Sequence, residues 1–155
     1  MSLKFDIQSL NTVKALLDVS KSIVLTTHHN PDGDAIGSVL GLSLALRTVG
    51  VESIVVTPNG FPDFLSWLPG VEAVVRYSQQ KELATDIVSK ADLIFCLDFN
   101  GFRRTENMEA LLTNSSAKKI LIDHHPDPES KFDYSFSFTE VSSTAELVYE
   151  FMSAL

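Results

Sequence analysis

The sequence predicts an α/β fold: a mostly parallel β-sheet with helices on both faces. Three observations carry this expectation. Short apolar, β-branched runs alternate with segments of helical spacing along the whole chain, the order of strand–helix–strand units. Those runs are apolar at nearly every position, as strands buried on both faces are. With 155 residues, 45% hydrophobic and 21% charged, the chain suits one domain with a sizeable core.

Each element has its own signal. SLNTVKALLDV, from Ser9, repeats apolar residues at helical spacing, with Ser9 or Asn11 as cap. SIVLTT (22–27) is short and β-branched, hence a buried strand. DAIGSVLGLSLALRTVG (34–50) reads as a long helix from Asp34 to a stop at Gly50. VESIVVT (51–57) is a strand ended by the turn Pro58-Asn59-Gly60. FPDFLSWL reads as a short helix closed by Pro69-Gly70, with Phe61, Phe64 and Trp67 turned into the core in preference to a base-stacking platform. EAVVRY is a weak strand and QKELATDIVSK a helix. DLIFCLD (92–98) is a buried strand, NMEALLTN a short helix, and KKILID (118–123) a further strand. FDYSFSF (132–138) alternates like an edge strand, and SSTAELVYEFMSAL is a helix. Ser142 or Ser143 caps it, with Glu146 in the capping-box position.

Bulk properties exclude several classes of function. Twelve Lys and Arg against 20 Asp and Glu leave a formal charge of −8, which argues against holding long duplex nucleic acid by its phosphates. No apolar run approaches the roughly 20 residues of a membrane span, so no membrane association is expected. The start, MSLKFDIQ, lacks the basic-then-apolar pattern of a signal peptide. The single cysteine, Cys96, sits in apolar LIFCLD and cannot form an internal disulfide; a cytoplasmic protein is expected.

In open α/β sheets ligands gather at the carboxyl ends of strands, and three strands here end in ligand-type residues. SIVLTT runs into His28, His29, Asp32 and Asp34; DLIFCL into Asp98; KKILI into Asp123, His124 and His125. Carboxylates crowded into one crevice repel unless a cation lies between them. Carboxylate and imidazole without thiolate suit Mn²⁺, Mg²⁺ or Fe²⁺. The donors suffice for two ions about 3.5–4 Å apart, the arrangement used for in-line attack on phosphorus. Gly33 between Asp32 and Asp34 lets each acid reach a different ion. Simpler roles compete for some residues. Asp34 also suits an N-cap, and Gly37 and Gly41 suit close helix–sheet packing. Arg103 and Arg104 suit either solvent or a phosphate, and Asp127 and Glu129 suit an exposed loop.

His28-x-Asn30-Pro31-Asp32-Gly33-Asp34-Ala35-Ile36-Gly37-Ser38 resembles the first motif of the DHH phosphoesterase superfamily. Asp98 after an apolar strand resembles the second motif, and Asp123-His124-His125 the signature that names the superfamily. SSTAELVYEF resembles the segment that follows in the nanoRNase (oligoribonuclease/pAp phosphatase) and cyclic-dinucleotide phosphodiesterase branches. The resemblance spans roughly residues 20 to 155. It implies two divalent ions, most readily Mn²⁺. His28 and Asp32 would hold the first, Asp34 and His124 the second, and Asp98 would bridge them. It further implies a catalytic His125 facing the scissile phosphate and an Asp123 that orients the imidazoles from behind. His29 falls at a variable position and is left out of the ligand set.

The resemblance also implies a further ligand aspartate and a second, substrate-holding DHHA1 domain, neither found in residues 1–155. The chain is therefore expected to be an N-terminal DHH portion, inactive by itself if those parts are essential. The implied activity is metal-dependent hydrolysis of short oligoribonucleotides or 3′-phosphoadenosine 5′-phosphate (pAp). Cyclic dinucleotides and inorganic pyrophosphate follow as substrates, and a homodimer is compatible. Two rival readings are a non-catalytic phosphate-ligand module, which should have lost its ligand set, and a receiver-like domain phosphorylated on Asp98. The second leaves His28, His124 and His125 without a role.

Overall fold

Strands β1 (Ile23–Thr26), β2 (Ile54–Thr57), β3 (Val75–Arg76), β4 (Leu93–Leu97), β5 (Lys118–Asp123) and β6 (Tyr134–Ser137) form one sheet. Their order is β3-β2-β1-β4-β5-β6, and every neighbouring pair is parallel. The computed structural model describes residues 5–155. Residues 1–4, part of the stretch read for a targeting signal, lie outside the described residues. Among the described residues no helix is long and apolar enough to cross a membrane.

The sheet has two cores because alternate residues of each strand point to opposite faces. Leu25, Phe95, Leu97, Ile120 and Ile122 face one side, where they pack with α1 (Ile7–Val19), α2 (Gly33–Thr48) and α5 (Thr144–Ala154). Val24, Ile94, Cys96 and Leu121 face the other, against α3 (Lys81–Lys90), α4 (Glu109–Asn114) and the preceding 3₁₀ turn, Phe102–Met108. This explains why the strands are apolar throughout. Phe151 of α5 lies within aromatic packing distance of Phe5, Phe95 and Phe136, at ring separations of 5.9, 6.1 and 5.6 Å.

Boundaries differ from expectation where a local cap outweighs periodicity. α1 begins at Ile7, not at Ser9 or Asn11, because the Asp6 carboxylate accepts from Ser9 N at 2.8 Å. α2 is capped by Asp32, not Asp34, through a 3.0 Å bond from Ala35 N. Gly50, in the left-handed region at φ 81°, follows its end. β2 is shorter than 51–57, and β3 keeps two residues of the expected strand, whose first two belong to a 3₁₀ helix, Val71–Ala73. In place of an α-helix over 61–68 there is a short 3₁₀ helix, Asp63–Leu65, followed by turns, with Phe64 72% and Trp67 76% exposed. A Cβ at Gly37 or Gly41 would meet nothing within 4 Å, so close packing is not what requires those glycines. Glu129 is not a free loop acid. Its side chain lies across Gly101, where a Cβ would collide with it.

The chain runs β1 to β3 toward one edge of the sheet, then returns to place β4, β5 and β6 on the other side of β1. The carboxyl ends of β1 and β4 therefore open a crevice at the point where strand order reverses.

Candidate metal centre

Asp98 is the centre of the crevice. It follows β4, is 2% exposed, and has its backbone in the left-handed region at φ 65°. Asp tolerates this conformation better than most residues, and a backbone amide bond to Ile122 O at 3.2 Å anchors it to β5. Its Oδ2 lies 3.5 Å from His28 Nε2, and its Oδ1 lies 3.6 Å from His124 Nε2 and 3.8 Å from His125 Nδ1. Thr144 Oγ1 donates to Oδ1 at 2.8 Å.

Two donor groups share this carboxylate. His28, Asp32 and Asp98 form one, and Asp98, His124 and His125 the other, each with donor atoms within 4.8 Å of one another. Asp34 adjoins the second group, its Oδ2 being 3.6 Å from His124 Nε2. The residues singled out from the sequence thus meet around Asp98. His125 comes closer to the donor group than its expected role beside the substrate required. Asp123, fully buried, lies behind it, with Oδ1 2.7 Å from His125 Nδ1.

The spacing fits cations. His28 Nδ1 lies 2.8 Å from the His29 carbonyl, which requires a proton on that nitrogen and turns Nε2 toward Asp98. A neutral Nε2 lone pair facing a carboxylate is repulsive, so a proton or a metal must lie between. Donors about 2.0–2.2 Å from one ion sit about 3–3.6 Å from each other, close to the separations found here. Hard oxygen with imidazole nitrogen, and no sulfur, suits Mn²⁺, Mg²⁺ or Fe²⁺.

Electrostatics agree. Burial opposes charge on His28, but the hydrogen bond and charge of Asp98, with the His29 carbonyl, outweigh it and raise its pKa. Burial likewise opposes charge on Asp98, yet His28, the Thr144 hydroxyl and His125 hold its carboxyl below the usual range. Burial raises Asp123, only partly countered by His125. Without metal, protonated His28 stabilises the fold. That contribution is complete below the unfolded imidazole pKa of about 6.5 and is lost as pH rises through the elevated folded value. Metal must displace this proton. Added Mn²⁺ is therefore expected to raise Tm more at pH 8 than at pH 6. Equal increments in thermal denaturation would show that His28 is not a ligand.

One residue escaped the sequence reading. Thr144, at the start of α5, donates its hydroxyl to Asp98, while its amide and that of Ala145 donate to Asp34 at 2.9 and 2.8 Å. The Ser143 cap, accepting from Glu146 N, was the visible signal; that the same turn grips two acids was not. His29 stands apart as expected, its Nδ1 3.4 Å from Glu106 and its amide bonded to Arg104 O. Arg103 and Arg104 are exposed beside Asn100, Asp127 and Glu129.

Comparison with known proteins adds to this geometry. Residues 22–155 match the family model described as the DHH family, N-terminal domain. The probable bifunctional oligoribonuclease and PAP phosphatase NrnA of Streptococcus mutans is 28% identical over 144 residues, covering 92% of this chain and 42% of its own length. The bifunctional oligoribonuclease and PAP phosphatase NrnA of Bacillus subtilis is 30% identical over 129 residues, covering 83% and 37%. The chain thus spans less than half the length of these relatives. The crystal structure of an exopolyphosphatase-related protein from Bacteroides fragilis superposes with a TM-score of 0.93 at 38% identity, over 96% of this chain and 44% of that one.

Proposed function

Because this chain belongs to the DHH family through its N-terminal domain, we propose that it is the metal-holding part of a phosphoesterase acting on short oligoribonucleotides and pAp. A phosphoesterase or nuclease kind of function follows from the family and from its NrnA relatives. The observation that carries the finer reading is Asp98, one buried carboxylate common to two groups of metal donors. A single such group would hold one ion. Two groups sharing an acid suit attack on phosphorus, where entering and leaving oxygens both need charge compensation.

His28, Asp32 and Asp98 would hold one divalent ion, and Asp34, Asp98 and His124 a second. When bound, such ions supply Lewis acidity toward phosphoryl oxygens and lower the pKa of a water. The chain's own residues do the rest. Asp123 holds His125 by Nδ1, leaving Nε2 as the ring atom that takes or gives a proton at a substrate oxygen. Thr144 keeps the Asp98 carboxylate fixed, and the α5 amides of Thr144 and Ala145 hold the Asp34 carboxylate at the crevice wall. The formal charge of −8 favours short substrates over long duplexes. Cytoplasmic residence and a homodimer are part of the same reading.

The test is hydrolysis of a diribonucleotide and of pAp with Mn²⁺, with EDTA, and with Mn²⁺ restored. Activity that is lost to the chelator and recovered with metal is expected. Mn²⁺-independent turnover, or no turnover of any phosphoester at saturating Mn²⁺, would reject the reading.

A further inference from the structure

A second cleft, of about 320 Å³, adjoins the candidate metal centre and shares only Asp32 with it. One wall is Asn30, Pro31 and Asp32; the other is Gly60, Phe61 and Pro62. Asp32 belongs to both this cleft and the His28 donor group, so the two are neighbours. The walls are fixed to each other. Asn59 Oδ1 accepts from Asn30 N at 2.8 Å, and Asn59 Nδ2 donates to Asn30 Oδ1 at 2.6 Å. Asn30 takes the left-handed conformation, φ 53°, that permits this clasp.

The far wall is aromatic, and a cation stands against it. Phe61 is half-buried, and the Arg76 guanidinium lies over its ring at 4.7 Å. Arg76 pairs in register with Thr57, so it stands at the carboxyl edge of the sheet. No carboxylate pairs with it among the described residues, and its Nε is buried without a hydrogen-bond partner. An arginine so placed in a chain of charge −8 is unusual, because acids to neutralise it are plentiful. With strands about 4.8 Å apart, β3 lies about 10 Å from β1, whose carboxyl end leads into the His28 donor group at the same edge of the sheet. The Phe61 ring, with one face under a guanidinium that no carboxylate neutralises among the described residues, offers a nucleobase its other face and a phosphate a nearby charge.

Resting on the phosphoesterase reading above, we infer that this cleft is a nucleotide subsite: Phe61 stacks on the base next to the scissile phosphate, and Arg76 holds that nucleotide's other phosphate. The site thereby selects base-bearing substrates over inorganic pyrophosphate. Phe64 and Trp67 follow Phe61 on the same exposed turn, which places the single tryptophan within reach as a reporter.

Binding without turnover tests this. AMP and ribose 5-phosphate are titrated into the protein in EDTA, read by amide chemical shifts and by Trp67 fluorescence. AMP is expected to move the Gly60, Phe61 and Arg76 amides and to bind about tenfold tighter than ribose 5-phosphate. Phe61→Leu should erase most of that difference. Arg76→Gln, with Arg76→Lys as the variant that keeps charge, should weaken both ligands. Equal affinities, shifts located elsewhere, or an unchanged Phe61→Leu would overturn the subsite. AMP binding here in a protein that cleaves no phosphoester would uphold the subsite and reject the hydrolytic reading. Hydrolysis without AMP-dependent change at Phe61 would do the reverse.

Discussion

Asp98→Asn is expected to abolish metal-dependent hydrolysis, with kcat falling on the order of 10³-fold or more, and to remove most of the Mn²⁺-induced rise in Tm. The substitution keeps shape and still accepts the Thr144 hydroxyl, which now donates to Asp98 at 2.8 Å. It removes the one charge common to both donor groups. Loss of any single outer donor disturbs one group; loss of this carboxylate disturbs both. The metal-free variant should remain folded, because Asn no longer needs the compensation that His28 supplies to a buried carboxylate. Steady-state kinetics with thermal denaturation in EDTA and in Mn²⁺ separates the two effects. Wild-type activity together with a wild-type Mn²⁺ response would remove Asp98 from the centre of the site.

Phe151→Ala is expected to cost about 3–5 kcal/mol of stability. Phe151 is fully buried, and its ring contacts join α5 to α2's side of the sheet through Phe5, Phe95 and Phe136. No neighbour can collapse into so large a gap without leaving its own partners, so a cavity term adds to the lost burial. Urea denaturation should show a lower midpoint with little change in slope. α5 also carries Thr144 and Ala145, whose bonds hold Asp34 and Asp98. Weakened Mn²⁺ binding should therefore accompany the loss of stability, although Phe151 touches no donor. A loss below about 1 kcal/mol would mean that α5 is not anchored through this cluster.

The parallel sheet was legible because strands buried on both faces leave a simple trace, runs such as LIFCL and KKILI without alternation. The cluster of acids and imidazoles around Asp98 was legible because each group follows such a run, and the strand direction of an α/β sheet sends all of them to one edge. The turn after β2 was misread through its period. In FPDFLSWL, residues 61, 64, 65 and 68 would share one face of an α-helix. Bonds from Leu65 N to Pro62 O, Ser66 N to Asp63 O and Leu68 N to Leu65 O instead impose a period of three. That period carries Leu65 and Leu68 inward and leaves Phe64 and Trp67 outside. The role of Thr144 was hidden for a different reason. Its capping neighbourhood is local, whereas the acids it serves lie 46 and 110 residues away. Which helix end meets which loop is fixed by tertiary packing and leaves no mark in the local pattern. Asp32 as the cap of α2 lay between these cases, since Asp32 and Asp34 both suit the position and only the backbone decides between them.

Anomalous diffraction at the manganese edge, from crystals grown with Mn²⁺, bears most directly on the shared carboxylate. Two peaks flanking Asp98 are expected, one also contacting His28 and Asp32, the other Asp34 and His124. A single peak that leaves Asp98 uncoordinated, or crystals with no manganese in the crevice at saturating metal, would contradict a two-ion centre organised around that residue.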